Sequence, residues 1–174
     1  ILNAAKRLRE SPDIVFMLVG AGATKKRMVN HVARDGLSNI IFIDRQPKEV
    51  VASHWSLCDL SLIHLKNEPL FAQVIPTKLF ESMGMGIPVI MAVPEGEATS
   101  IVNNCGCGVV IPAEDGEKLA NTILQLKSAP EQIERYSQSA LKSSLLFSRD
   151  IRAGEMLVVL KKVVFLYGTG SDMQ

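Results

Sequence analysis

The stretch "IPTKLFESMGMGIPVI", residues 75–90, predicts a helix, a turn and a buried strand in quick succession. Pro76 stands just before or at the predicted helix start, where its fixed φ and missing N–H are tolerated. Leu79, Phe80 and Met83 recur at helical spacing and predict a face that packs inward. Glycines then interrupt the helical pattern, and the β-branched run "IPVI" favours a strand. The stretch therefore predicts one helix-to-strand step of an α/β fold.

The same helix carries polar residues close to its start. Lys78, Glu81 and Ser82 are three and four positions apart, so they are predicted to share a face. With Thr77 as a cap, the free N–H groups of Thr77, Lys78 and Leu79 outline a phosphate site that the helix dipole favours. Glu81 is badly placed for phosphate but can accept two hydrogen bonds from a vicinal diol. A nucleotide diphosphate has both a phosphate for the helix start and a ribose diol for Glu81. The alternative interpretation is that Glu81 is an exposed carboxylate without a ligand.

The surrounding sequence repeats this alternation of helices and apolar runs. The predicted strands are "DIVFMLVG", "NIIFID", "DLSLIHL", "IPVIMAV" and "GVVIP", with helical patterns between them. Continuous apolar strands that alternate with helices favour a parallel sheet of about five or six strands with helices on both faces. The one long irregular connection, "NEPLFAQV" at 67–74, follows a strand end, where open α/β sheets bind their ligands.

Composition narrows the class of protein. With 174 residues, 19 basic and 18 acidic side chains, the net charge of +1 gives no global attraction to nucleic acid. The chain is expected to form a single domain, 1–174, cut from something longer, because it starts with Ile1 inside a helical pattern. No run reaches the roughly 18 apolar residues of a membrane span. Three cysteines favour the cytoplasm over a disulfide scaffold, and no Asp-x-Asp or His/Cys cluster predicts a metal.

The segment "GAGATK", 20–25, contains the pair Gly20 and Gly22 directly after the first strand. Lys25 stands where the dinucleotide fingerprint requires a third glycine. A tight strand-to-helix turn and a close backbone approach to a nucleotide both remain open. Asp44 ends the next strand, where an NAD-binding domain places its ribose-binding acid, so an NAD-dependent oxidoreductase is kept as an alternative.

"VIPTKLFESMGMGIPVI" followed by "GEATSIVNNCGCGVVIPAEDGEKLANTI" resembles the C-terminal, donor-binding domain of group 1 retaining glycosyltransferases. It looks most like their bacterial surface-polysaccharide branch, with its I-P-[ST]-K-[LF]-[YF]-E signature. "FMLVGAGATKKRM" and "IIFIDRQPKEVVASHWSLCDLSLI" are similar to the same domain. The resemblance implies one half of a GT-B enzyme, in which two Rossmann-like domains face a cleft. Such an enzyme transfers a sugar from a nucleotide diphosphate donor with retention and without a metal.

The resemblance also implies a role for individual residues. It places a glutamate on the ribose hydroxyls, a helix start under the diphosphate, a loop around the base and glycines on the cleft floor. The glutamate on the ribose is Glu81, and the helix start under the diphosphate is formed by Thr77, Lys78 and Leu79. The loop around the base contains Arg45 and Gln46, and the glycines on the cleft floor are Gly20 and Gly22.

One position departs from the family pattern. Many members carry E-x7-E, in which the first glutamate faces the donor sugar, and counting back from Glu81 gives Gln73. An amide there can hydrogen-bond the sugar but brings no charge. Gln73 and Lys78 are therefore the residues expected to act on the reacting sugar phosphate.

Further expectations concern the whole protein. The resemblance implies an acceptor-binding domain and a first, basic strand upstream of Ile1, and a helix at 149–166 that packs across to that domain. The donor is expected to be a UDP-sugar rather than a GDP-sugar, and the acceptor a saccharide or lipid-linked saccharide. The protein would then be cytoplasmic, or peripheral at the inner face of the plasma membrane, and this chain alone would bind donor without transferring it. A sugar-nucleotide epimerase or hydrolase of the same architecture, and a non-catalytic nucleotide-sugar-binding module, are the alternatives.

Overall fold

The computed structural model describes residues 1–168 and confirms the alternation of strands and helices. Within that range the strands are β1 (Phe16–Val19), β2 (Ile40–Ile43), β3 (Ser61–His64), β4 (Val89–Ala92) and β5 (Gly108–Ile111). The helices are α1 (Leu2–Arg7), α2 (Lys25–Asp35), α3 (Lys48–Trp55), α4 (Thr77–Gly84), α5 (Glu97–Cys105), α6 (Gly116–Lys127), α7 (Pro130–Ser144) and α8 (Arg149–Gly168). Two 3₁₀ turns, Pro69–Gln73 and Leu145–Phe147, precede α4 and α8.

The strands are all parallel, but their hydrogen bonds divide them into two sheets. β1 pairs with β2, and β4 lies between β3 and β5. One apolar cluster nevertheless runs under both sheets, because Phe16 and Ile40 share it with Ile90 and Ala92. Helices α1 and α6 cover this common face. The predicted single sheet is therefore one layer of five strands in two hydrogen-bonded parts.

The division leaves β1 with an open edge. The N–H groups of Phe16 and Gly20 donate to carbonyls at either end of β2, over 2.9 and 3.0 Å. Alternate residues of a parallel strand face the same neighbour. Met17 and Val19 therefore direct their backbone groups away from β2.

The same alternation applies to β3. The N–H groups of Ser61 and Leu65 donate towards β4, over 2.8 and 3.1 Å. The backbone groups of Leu62 and His64 consequently face away from β4.

The second sheet is the more deeply buried part. Ile90 and Ala92 of β4 face the common cluster. Val89 and Met91 face a second cluster, which α4, α5 and α7 cover. Because β4 has strands on both edges and helices on both faces, all four of its residues are buried. This rigid core carries α4.

Helix α8 is exposed over residues 149–165. Val158, Leu160 and Val164 are 53%, 52% and 67% exposed, and the Arg152 guanidinium lies 5.1 Å from the Phe147 ring centre. The predicted terminal helix is present, while its packing against another domain stays a prediction. None of the helices within residues 1–168 combines the length and apolar character needed to cross a membrane.

Candidate functional site

The segments predicted to bind ligand all follow strand ends. Gly20 to Gly22 follow β1, residues 44–46 follow β2, and His64 closes β3. Because the strands are parallel, their carboxyl ends lie at the same edge of the layer, which is where open α/β folds bind ligands. The connection after β3 then leads through the 3₁₀ turn to the start of α4 at this edge.

The start of α4 has free backbone donors. Pro76 precedes the first helical residue, with φ −65° and ψ 128°, and no side chain caps the helix. The N–H of Leu79 donates back to the Pro76 carbonyl over 3.0 Å. The N–H groups of Thr77 and Lys78 belong to the first turn, where a helix offers no internal acceptor. This end of α4 is suited to an anion.

Two details of the predicted helix start were wrong. Thr77 is the first residue of α4 and not its cap, because Pro76 takes the extended conformation that the capping position requires. The Leu79 amide is used within the turn, and the Leu79 side chain is fully buried. The free donors are therefore two rather than three.

The exposed face of α4 carries Thr77, Lys78 and Glu81. Among residues 1–165, whose side chains are described, Lys78 and Glu81 form no ion pair. Ser82 was predicted on this face but is fully buried, and its hydroxyl donates to the Ser61 hydroxyl over 2.7 Å. Ser82 is buried because it lies between the apolar rows of the helix, where Ser61 supplies its acceptor.

His64 lies close to Lys78. Partial burial lowers the pKa of His64, and the nearby Lys78 ammonium lowers it further. His64 closes β3 and Lys78 belongs to the first turn of α4. A bound anion beside Lys78 would favour the protonated form of His64.

The loop after β1 is closed by Lys25. Its Nζ donates to the Gly20 carbonyl at 3.1 Å, the Ile43 carbonyl at 3.3 Å and Asp44 Oδ1 at 2.7 Å. This hydrogen bond to Lys25 lowers the pKa of Asp44. Gly20 has φ +141°, a conformation that only glycine adopts readily. "GAGATK" is therefore a tight turn that binds β1 to β2.

This arrangement argues against the NAD alternative. The carboxylate that would hold a dinucleotide ribose, Asp44, is already paired with Lys25. Lys25 itself fills the position where the fingerprint needs a glycine for close packing. Among the described residues no group of three His, Cys, Asp or Glu side chains is placed to hold a metal ion.

Arg45 and Gln46 lie in the loop between β2 and α3. Arg45 is exposed, and the Gln46 side-chain amide donates to the Asp44 carbonyl over 3.2 Å. The hydrogen bonds and ion pairs of the described residues do not join this loop to α4. Their predicted place around a base stays a prediction.

Gln73 is the exposed last residue of the 3₁₀ turn. The start of the same connection is held by Glu114, whose Oε2 accepts the Asn67 N–H at 3.1 Å. Glu114 has φ +60°, which is unusual for a residue other than glycine. Sequence reasoning missed Glu114, because "AEDG" shows only the composition of a turn.

The family model described as glycosyl transferases group 1 matches residues 1–143. An exopolysaccharide phosphotransferase of Streptomyces coelicolor is 22% identical over 147 residues, which are 84% of this chain and 15% of that protein.

Two solved structures share the fold. Sucrose-phosphate synthase from Thermosynechococcus elongatus matches with a TM-score of 0.76 and 21% identity, over 95% of this chain and 42% of that one. The HepE protein of Anabaena in complex with UDP-glucose matches with a TM-score of 0.68 and 20% identity, over 82% of this chain and 39% of that one. The chain thus spans less than half the length of each of these relatives.

Proposed function

Because this chain belongs to the group 1 glycosyl transferases, we propose that it is the C-terminal, donor-binding domain of a retaining glycosyltransferase. The enzyme would transfer a sugar from a nucleotide diphosphate sugar to a saccharide acceptor. The observation that best supports this proposal is the start of α4, an uncapped helix end with exposed Lys78 and, one turn further, exposed Glu81.

The diphosphate would lie on the start of α4. Breaking the bond between sugar and phosphate leaves growing negative charge on the diphosphate. The N–H groups of Thr77 and Lys78, the helix dipole and the Lys78 ammonium are fixed donors that stabilise such charge. These groups supply positive charge without a metal, so we propose metal-independent donor binding.

The remaining parts of the donor would contact neighbouring residues. Glu81 would accept hydrogen bonds from the ribose diol, and Arg45 and Gln46 would border the base. Gln73 would hydrogen-bond the donor sugar from the end of the 3₁₀ turn. UDP is proposed over GDP, and the UDP-glucose complex of a structural relative supports that preference.

The acceptor belongs to the proposal for the whole enzyme. An upstream domain would bind a saccharide or lipid-linked saccharide at the inner face of the plasma membrane, as the surface-polysaccharide branch implies. A curated relative that bears the name exopolysaccharide phosphotransferase supports polysaccharide chemistry. Residues 1–174 alone are expected to bind donor weakly, because good sites bury most of their ligand, and to transfer nothing to a membrane lipid extract.

Titration calorimetry with UDP, GDP and ADP tests the proposed site. Glu81→Ala should weaken UDP binding by about 1.5–3 kcal/mol, the range for a hydrogen bond to a charged group. A 2′,3′-dideoxy analogue of UDP should lose little from the same change, because it lacks the diol. Equal losses of affinity for UDP and for the analogue would show that Glu81 does not bind the ribose diol. Glu131→Ala, an exposed glutamate in the first turn of α7, is the matched control.

Chelation tests the metal proposal. UDP affinity should be unchanged in EDTA, because α4 and Lys78 take the phosphate charge. A loss of more than about tenfold, restored by magnesium or manganese, would show that a cation takes part in binding.

A further inference from the structure

The start of α5 approaches the 3₁₀ turn at backbone distance. A Cβ placed on Gly96 would lie 1.9 Å from the Ala72 carbonyl oxygen and 2.9 Å from its carbon. Gly96 has φ 176°, an extended conformation open to any residue. Space, and not backbone conformation, therefore demands glycine at this position.

Gly96 is held firmly from its own side. The Thr99 hydroxyl accepts from the Gly96 N–H at 3.0 Å and lies 2.8 Å from the Gly96 carbonyl. The Ser100 hydroxyl donates to that carbonyl at 3.0 Å. Thr99 is 5% exposed, and Ala98 and Val102 of the same helix are buried. The start of α5 is consequently part of the rigid core.

The 3₁₀ turn is the weaker partner in this contact. None of its residues is buried, and Leu70 is 68% exposed. At its far end the N–H of Val74 donates to the Phe71 carbonyl over 3.3 Å. A methyl group on Gly96 would thus displace the turn and leave α5 in place. Gln73, directly after Ala72, would move with it.

The start of the connection limits how the turn can respond. Glu114 holds Asn67 through the 3.1 Å hydrogen bond to its backbone. Two contacts therefore fix the position of the turn. The Glu114 carboxylate holds its entry at Asn67, and the backbone of Gly96 packs against Ala72.

We propose that Gly96 is a positioning residue that determines where Gln73 stands against the donor sugar. This inference rests on the proposed function, because it takes the sugar of a UDP-sugar to lie beside Gln73. Gly96 would affect binding of the sugar alone. The residues proposed to bind the diphosphate and the ribose lie on α4, outside this contact.

Two measurements on Gly96→Ala test the proposal. In amide hydrogen exchange, Val74 should exchange faster in the variant, while the amides of β4 and α5 keep their protection. In calorimetry with UDP, UDP-glucose, UDP-galactose and UDP-N-acetylglucosamine, the protein should bind at least one UDP-sugar more tightly than UDP. Gly96→Ala should weaken binding of that UDP-sugar about fivefold, as for loss of one neutral hydrogen bond. The affinity for UDP should be unchanged.

Gly84→Ala is the control, because a methyl group there meets nothing within 4 Å. Failure of the unaltered protein to bind UDP would overturn the proposed function itself. If UDP binds, three results overturn the role of Gly96. They are an equal loss for UDP and the UDP-sugars, wild-type binding by Gly96→Ala, and the absence of any sugar increment in the unaltered protein.

Discussion

The β1–β2 part and the β3–β5 part of the layer differ sharply in burial. All four residues of β4 are buried, whereas only Phe16 is buried in β1. Helices α4 and α5 each bury three side chains, and α2 and α3 bury none. The strands "VIMA" and "FMLV" are nevertheless equally apolar.

Apolar content therefore does not determine how deeply a strand is buried. The burial of a strand depends on its number of neighbours, because β4 has a strand on each edge while β1 is paired on one edge only. Both parts carry residues that were predicted to bind the donor. The rigid part carries α4, where charge must be held in fixed geometry, and the less buried part carries the loop with Arg45 and Gln46.

Truncating one strand side chain in each part should give the largest contrast. Met91→Ala removes a fully buried side chain and should cost about 2–5 kcal/mol of unfolding free energy. Ile41 is 49% exposed, so Ile41→Ala should cost about 1 kcal/mol or less. Urea unfolding of both variants measures this, and similar losses would show that the two parts are equally packed.

Amide exchange should separate the open edges from the paired ones. The amides of Met17 and Leu62 face away from their partner strands, and those of Leu18 and Ile63 face them. Within each strand the open-edge amide should exchange about a hundredfold faster, because it needs no opening of the ladder. Equal protection of Met17 and Leu18 would mean that the edge of β1 is covered in solution.

Removing the Lys25 ammonium should weaken the β1–β2 part alone. Lys25→Met deletes the three hydrogen bonds that the Lys25 ammonium donates to groups at the ends of β1 and β2, and should cost about 1–2 kcal/mol. Lys26→Met, at the exposed neighbouring position, is the matched control. If both variants unfold alike, the turn is held by its backbone and not by the lysine.

Mild acid should produce the smallest effect, in the same part. Among the described residues the aspartates with a lowered pKa are Asp13, Asp35 and Asp44, through hydrogen bonds from Lys127, Arg34 and Lys25 respectively. A lowered pKa adds stability that is complete above the unfolded value of 3.8 and is lost as the pH falls through the lower folded value. Asp13 and Asp44 are exposed and Asp35 is partly buried, so the loss should be slight.

Trp55 lies in α3 and is the only tryptophan, so its fluorescence reports on this part. Below about pH 4 its signal should change before the far-ultraviolet circular dichroism does. The Asp44→Asn variant should reduce the separation between the two transitions. Coincident transitions in the unaltered protein would place the acid sensitivity elsewhere.

The sequence predicted the parts of the site that depend on local patterns. Helical spacing around Leu79 and Met83 predicted which face of α4 is buried, and both are fully buried. Lys78 and Glu81 were predicted on the polar face and are exposed there. Ser82 was misplaced, because its burial depends on Ser61, far away in the sequence, as a hydrogen-bond partner.

The order of strands and helices and the polar face of α4 could thus be predicted from the sequence, because they follow from local patterns of apolar and polar residues. The division of the strands into two sheets, the closure of the loop after β1 by Lys25 and the close approach of Gly96 to Ala72 emerge only once the chain is folded. Each of these depends on which distant backbone groups come within a few ångströms of each other. Such distances are set by the packing of whole elements, and no local pattern records them.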